Sequence, residues 1–203
     1  MLNNPLLPTA YFGPISYYAI LLQHPDCSIE LHEHFVKQSI RNRCDIYGAN
    51  GKLTLSIPKQ RKASSKTIIK DIRIAYHHPW QKEHWKSICS AYRSSAYFEF
   101  YEDLFAPLYQ IKVIYLLDFN LKLQEVIFKC LQIRDTSILT QSYQKQSTSN
   151  DYQNATFQIK NQTKYHQVFE NKCGFISNLS IIDLLFNLGP ESADYLHNLD
   201  ISI

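Results

Sequence analysis

The sequence predicts an α+β fold, with an N-terminal strand-rich part whose β-hairpin packs on a helical C-terminal half. Two observations predict it. Short apolar or alternating segments, one of them punctuated by Asn50-Gly51, crowd the first part of the chain, whereas from Pro79 onward apolar residues recur at spacings of three and four. Strands first and helices later is the order of an α+β fold rather than of regular βαβ alternation. The 203 residues suit one domain over 1–203, and a composition 45% apolar and 19% charged is that of a globular chain able to bury a core.

Tyr11-Phe12-Gly13 reads as a short apolar strand. Pro14 occupies a first-turn position, so Ile15–Leu22 continues as an apolar helix that stops before Pro25. Cys27–Leu31 is the second strand expected. Gln38–Tyr47 and Lys52–Ile57 then form a hairpin around Gly48-Ala49-Asn50-Gly51, with Leu53, Leu55 and Ile57 alternating with Thr54 and Ser56. Pro58 ends it, Lys59–Lys66 is a basic loop, and Thr67–Tyr76 alternates as another strand. From Pro79-Trp80 a helix runs to Tyr92 with Trp85, Ile88, Cys89 and Tyr92 on one face. Phe98–Tyr109 and Asn120–Leu131 are two more helices. Gln141–Gln153 is polar and Ser/Gln-rich, the composition of a connector within the domain. Beyond it, Asn178–Asn187 places Leu179, Ile182, Leu185 and Phe186 on one face. Gly189-Pro190 stops that helix, and Glu191–Asn198 forms a last short one.

Composition also excludes several classes. No apolar run approaches the roughly 20 residues that span a bilayer, and the N-terminus lacks a basic start followed by an apolar stretch, so a cytoplasmic protein without a transmembrane segment is expected. Cys27, Cys44, Cys89, Cys130 and Cys173 are odd in number and contain no C-x-x-C, which points to free thiols. Residues 1–100 hold 13 Lys/Arg against 7 Asp/Glu, and residues 101–203 hold 8 against 11. That asymmetry allows an anion-facing surface in the front half, but a pI of about 8.5 falls short of a dedicated nucleic-acid binder. Gly-x-Ser-x-Gly, Walker and G-x-G-x-x-G motifs are all absent.

The most informative stretch is Lys37-Gln38-Ser39-Ile40-Arg41-Asn42-Arg43-Cys44. On a strand, Lys37, Ser39, Arg41 and Arg43 would share a face whose guanidinium forks match a phosphate or carboxylate. The alternatives are a solvated face, or a buried arginine paired with Asp183 or Glu191 that joins the two halves. Cys44 would point away from both arginines and pack. Glu30, His32 and His34 would share a strand face in a metal-ligand pattern, yet no H-e-x-x-H accompanies them, and no metal site is assigned. His84, between Trp80 and Trp85, is either a general base or a hydrogen-bonded packing residue. The 14 tyrosines and 11 phenylalanines fall mostly on core positions.

Tyr11-Phe12-Gly13-Pro14 with Tyr17-Tyr18, then Lys37-Gln38 and Arg41-Asn42-Arg43, the hairpin to Pro58, His84-Trp85 with Tyr92-Arg93, and Phe175 through Asn187-Leu188-Gly189-Pro190-Glu191 together resemble the WbqC-like proteins of bacterial surface-polysaccharide gene clusters. The resemblance implies an enzyme of O-antigen or capsule biosynthesis that modifies an activated sugar by acyl or aminoacyl transfer. Its substrate would be a small-molecule or lipid-linked sugar, its partners other glycan-pathway enzymes, and its cofactor is not named. It points to Gln38, Asn42, Arg43 and His84 as signature positions; joined to the cationic face of Lys37, Arg41 and Arg43, this gives Lys37, Gln38, Arg41, Asn42 and Arg43 as the expected substrate-binding residues and His84 as the expected catalytic one. The alternative is a non-catalytic sugar-nucleotide-binding or scaffold protein of the same pathway.

Overall fold

A computed structural model describes residues 4–60, 66–144, 152 and 158–202. Three short strands, β1 (Leu6–Pro8), β2 (Ser28–Glu30) and β5 (Ile138–Leu139), form a parallel sheet in the order β1-β2-β5. Leu7 lies opposite Ile29, and Ile29 opposite Leu139, so the apolar residues stack across the sheet. Helix α1 (Ile15–Gln23) connects β1 to β2. Ile15 to Leu21 are all buried, which explains why this helix is apolar on every side. The fold is α+β, and this one βαβ unit inside it is invisible to local periodicity.

The hairpin is as expected at its turn. β3 (Arg43–Gly48) pairs antiparallel with β4 (Gly51–Ser56), and Gly51 takes φ +98, which a side chain would resist. Cys44, Ile46, Leu55 and Ile57 supply its buried face, whereas Leu53 at the turn end is 41% exposed. Helix α2 (Trp80–Tyr92) covers that face, with Trp80, His84, Ile88, Ala91 and Tyr92 buried and the Tyr92 hydroxyl accepting the Tyr47 N–H at 3.0 Å. Helices α3 (Phe98–Phe105) and α4 (Leu116–Leu131) complete the core, α4 beginning four residues earlier than its sequence pattern suggests.

The C-terminal part wraps back onto the start of the chain. A short α5 (Glu170–Cys173) precedes α6 (Ile181–Leu188) and α7 (Ser192–His197); two-residue strands β6 (Gln158–Ile159) and β7 (Ile201–Ser202) pair antiparallel. The first turn of α1 lacks a side-chain cap of its own; Asn178 Oδ1 accepts its Ser16 N–H and the Leu179 carbonyl its Ile15 N–H. Ser180 N–H bonds to the Asp45 carbonyl, tying α6 to the hairpin. Most of Gln141–Gln153 lies outside the described residues.

Three strand expectations are corrected. Tyr11–Gly13 is a buried bend, with Phe12 at φ +44 held by the Tyr11 and Phe105 rings and by Ser180 Oγ donating to its carbonyl. Tyr11–Gly13 follows β1 rather than being it. Lys37–Asn42 is a series of turns, so the β3 strand starts only at Arg43 and no period-two cationic face forms. Thr67–Tyr76 contains a 3₁₀ turn at Ile69–Asp71 flanked by isolated bridges, not a strand.

Gly189 ends α6 at φ +57, and a Cβ there would overlap the ring of Tyr97, a residue whose backbone N–H donates to the Phe186 carbonyl. Gly189→Ala is therefore expected to cost roughly 2–4 kcal/mol, strain and overlap together. A urea midpoint unchanged from the wild type would contradict this.

Candidate functional site

Open sheets with parallel strands place ligands beyond the carboxyl ends of those strands. Here that region is unusually polar for its burial. Thr9 follows β1, Glu30 ends β2, Thr140 follows β5, and all three are buried. Glu30 accepts hydrogen bonds from the His32 N–H, the Thr140 hydroxyl and the Gln144 N–H, so its lone pairs are well occupied. Asn120, on α4, donates from Nδ2 to Thr9 Oγ1 at 3.3 Å and to the Arg41 carbonyl at 2.8 Å.

Arg41 is only 1% exposed. Its Nε donates to Glu33 Oε1 at 2.7 Å and its Nη2 to Glu33 Oε2, a bidentate fork that neutralises both charges inside the core. The partner that sequence reasoning placed at Asp183 or Glu191 is thus Glu33, eight residues away. Asp183 belongs to another buried network, in which Tyr165 and Gln167 donate to its Oδ2 at 2.5 and 2.9 Å; burial raises its carboxyl above the ordinary range.

Three of the predicted site residues converge on one end of β4. Asn42 Nδ2 donates to the Ile57 carbonyl at 3.0 Å, Arg43 pairs in register with Ser56, and His84 has a backbone hydrogen bond at Ser56. His84 Nδ1 also meets the Tyr11 hydroxyl at 2.8 Å, which in turn meets the Tyr109 hydroxyl at 2.8 Å. With the His84 proton on Nε2 toward the Ser56 carbonyl, Nδ1 accepts from Tyr11 and Tyr11 accepts from Tyr109, giving one continuous relay. Burial pulls the imidazole down to about 4, the Ser56 bond opposing it in part, so His84 is neutral near pH 7. Burial pushes the Tyr11 and Tyr109 phenols up, so both stay protonated donors. Tyr11 and Tyr109 were not singled out from sequence as polar; their relay spans 98 residues and leaves no local signal.

Four buried polar atoms in this neighbourhood have no hydrogen-bond partner among the described residues: Asn42 Oδ1, Arg43 Nε, Trp80 Nε1 and Asn120 Oδ1. Trp80 packs against the His84 ring at 5.1 Å and against Phe119, the neighbour of Asn120, at 5.5 Å. Asn42 Oδ1 and Asn120 Oδ1 are acceptors, Arg43 Nε and Trp80 Nε1 donors. Lys37 and Gln38 lie outside this set, exposed in the preceding turn, with Gln38 at φ +58.

Among the described residues no group of three His, Cys, Asp or Glu could hold a metal ion, and His32 Nε2 lies 3.2 Å from the Thr140 carbonyl. Leu31–His34 is not a strand, so His32 and His34 share no strand face. Burial pushes the Cys44 thiol well up, against a nucleophilic role, and raises Cys27 and Cys130 to about 12. A cleft of about 490 Å³ lies between α4 and β5, lined by Gln124, Lys129 and Asp135 among others; none of the predicted site residues lines it.

A family model described as the WbqC-like protein family matches this chain over residues 9–163 and 147–195. No curated protein and no solved structure matches it.

Proposed function

This chain belongs to the WbqC-like protein family, and from that premise we propose that it is an enzyme of bacterial surface-glycan biosynthesis that modifies an activated sugar by acyl or aminoacyl transfer. The observation that carries this reading is the set of unsatisfied buried polar atoms on Asn42, Arg43, Trp80 and Asn120, the last of them bonded to Thr9 just beyond β1. Native proteins leave few such atoms without a purpose.

In this reading Arg43 binds the phosphate or carboxylate of the substrate, with Lys37 and Gln38 at the rim of the site. Asn42 orients the sugar through its open Oδ1. Arg41 contributes from behind: its guanidinium is held by Glu33, and its carbonyl fixes Asn120. A sugar hydroxyl or amine attacks the carbonyl carbon of the donor. A new C–O or C–N bond forms, the donor's bond to its leaving group breaks, and the proton of the nucleophile enters the relay at the Tyr109 hydroxyl while Tyr109 passes its own to Tyr11 and Tyr11 its own to Nδ1 of neutral His84. Cytoplasmic action on a nucleotide-linked or lipid-linked sugar, beside other enzymes of the pathway, follows from the same reading.

One observation favours a second reading. Arg41 and His84 are both bonded to other side chains, which is the condition of a binding or scaffold protein as readily as of an enzyme. Incubating the protein with sugar nucleotides and acyl or aminoacyl donors, with product followed by mass spectrometry, separates the two. The enzyme reading expects a sugar heavier by one acyl group, formed by the wild type and not by His84→Ala. Sugar binding without product from any donor would favour the scaffold.

A further inference from the structure

A second surface is built from the basic front half together with residues 110–116. Residues 57–60, 66–76 and 110–116 form an irregular ladder: Ala75 N–H bonds to the Pro58 carbonyl, Gln60 N–H to Arg73, Ile74 N–H to Ile114, and Leu116 N–H to Ile72. One side of the ladder is core, with Ile57, Ile72, Ile74, Val113 and Leu116 buried. The other side is cationic. Lys59 lies over the Phe35 ring at 5.5 Å, Arg73 over Tyr115 at 5.5 Å and Lys112 over Tyr76 at 5.6 Å. Asp71 is the one acid within these three segments, against Lys59, Lys66, Lys70, Arg73 and Lys112.

Large aliphatic side chains stand among these cations. Ile114 is 61% exposed and Ile111 45% exposed, on a stretch held rigid by Gln81 Nε2 donating to the Ile111 carbonyl and by the Tyr76 hydroxyl on both polar groups of Val113. We propose that this face docks the protein on an anionic membrane surface, with Lys59, Lys70, Arg73 and Lys112 meeting lipid headgroups and Ile111 and Ile114 entering the interfacial layer. Charge complementarity selects an anionic partner. The protruding aliphatics select a bilayer over a nucleic acid, because the three aromatic rings that would stack on bases are already covered by cations. No helix of the described residues is long and apolar enough to cross a membrane, so the association is peripheral. The inference goes beyond the proposed chemistry and stands without it.

The test is co-sedimentation of the full chain with vesicles of phosphatidylcholine alone and of phosphatidylcholine mixed with phosphatidylglycerol. Binding to the anionic vesicles only, weakened by high salt, is expected. Arg73→Glu/Lys112→Glu should lower the partition coefficient by on the order of 25-fold or more, at about 1 kcal/mol per cation. Ile114→Ser should weaken binding several-fold even at low salt, and Lys160→Glu/Lys164→Glu, outside the face, should bind as the wild type does. All these side chains are exposed, so melting temperatures should match. Equal binding to neutral vesicles, wild-type binding by Arg73→Glu/Lys112→Glu or by Ile114→Ser, or heparin binding without vesicle binding would each overturn the proposal.

Discussion

Arg41→Ala is expected to destabilise the fold by about 3–5 kcal/mol, the cost of leaving a buried carboxylate without its counter-charge. Glu33 is 4% exposed and its two oxygens take the two arms of the Arg41 guanidinium, so removal of either partner takes this counter-charge from a buried group. Glu33→Ala should cost a similar amount. Arg41→Lys should fall between, since a lysine keeps the charge but not the fork. The double variant Glu33→Leu/Arg41→Met is the informative control: with both charges gone, it should recover much of the loss. Urea unfolding reads all four, with the midpoint shifting while the slope holds. A loss below about 1 kcal/mol for Arg41→Ala, the range of solvated surface pairs, would contradict the burial of this pair. The consequence for function is positional. The Arg41 carbonyl holds Asn120, so a loosened pair also displaces one of the open acceptors.

His84→Ala is expected to lower turnover by roughly 10²–10⁴-fold if the residue takes the proton of the attacking sugar group. Its depressed basicity makes a pH signature available. A general base works when neutral, so the acid limb of kcat/KM, which reports the unliganded protein, should fall at about 4 rather than near the ordinary histidine value of 6.5. The same shift acts on stability. Between 6.5 and about 4 the unfolded chain binds a proton that folded His84 refuses, so stability is fully present above pH 6.5 and declines as pH falls through that window. The loss is on the order of 3 kcal/mol at the bottom of the window. Parallel melting curves for the wild type and His84→Gln across that range test it: the wild type should lose more, and identical slopes would assign the imidazole a solvated environment. Unchanged turnover in His84→Ala would remove its role as base while leaving the relay a structural one.

Local signals carried much of the fold. The hairpin is legible because Asn50-Gly51 and the Leu55/Ile57 alternation are short-range facts, and Gly51 does take the positive φ that the turn needs. The α2 and α6 faces are legible for the same reason, although Trp85 and Cys89 prove half-buried and the true inner face runs through Trp80, His84, Ile88 and Tyr92. The parallel sheet is not legible. Leu7, Ile29 and Leu139 meet only through pairings of long sequence separation, and strands of two or three residues have no periodicity to detect. Tyr11-Phe12 has strand-like composition because it is buried, yet Phe12 adopts a left-handed conformation that packing imposes. At the site, residue types pointed to Asn42, Arg43 and His84, which do meet at the Ser56–Ile57 end of β4. Arg41 was read as a cation facing outward or a distant partner because charge alone says nothing about which acid reaches it. Tyr11 and Tyr109 are buried among aromatic rings, and their hydroxyls make them polar as well.

The polar cluster draws on elements far apart in the chain. Asn42 and Arg43 come from the turn entering the hairpin, His84 from α2, Tyr109 from the 3₁₀ turn after α3, and Asn120 from α4. No single segment could supply these positions. The C-terminal Asn178–Ser180 stretch caps α1 and anchors the hairpin, so its contribution is to hold the elements that carry the site.

The open polar groups around Asn42 and Arg43 are expected to bind an activated sugar. A thermal-shift screen of the purified full chain against nucleotide sugars, acyl donors and divalent metals, run on the wild type and on Arg43→Ala, tests it most directly, because a ligand that binds only the folded state must raise the melting temperature. Stabilisation of the wild type by at least one sugar nucleotide is expected, lost in an Arg43→Ala protein whose unliganded melting temperature is near that of the wild type. Equal stabilisation of both proteins by that sugar nucleotide, or a shift produced by metal alone, would contradict it.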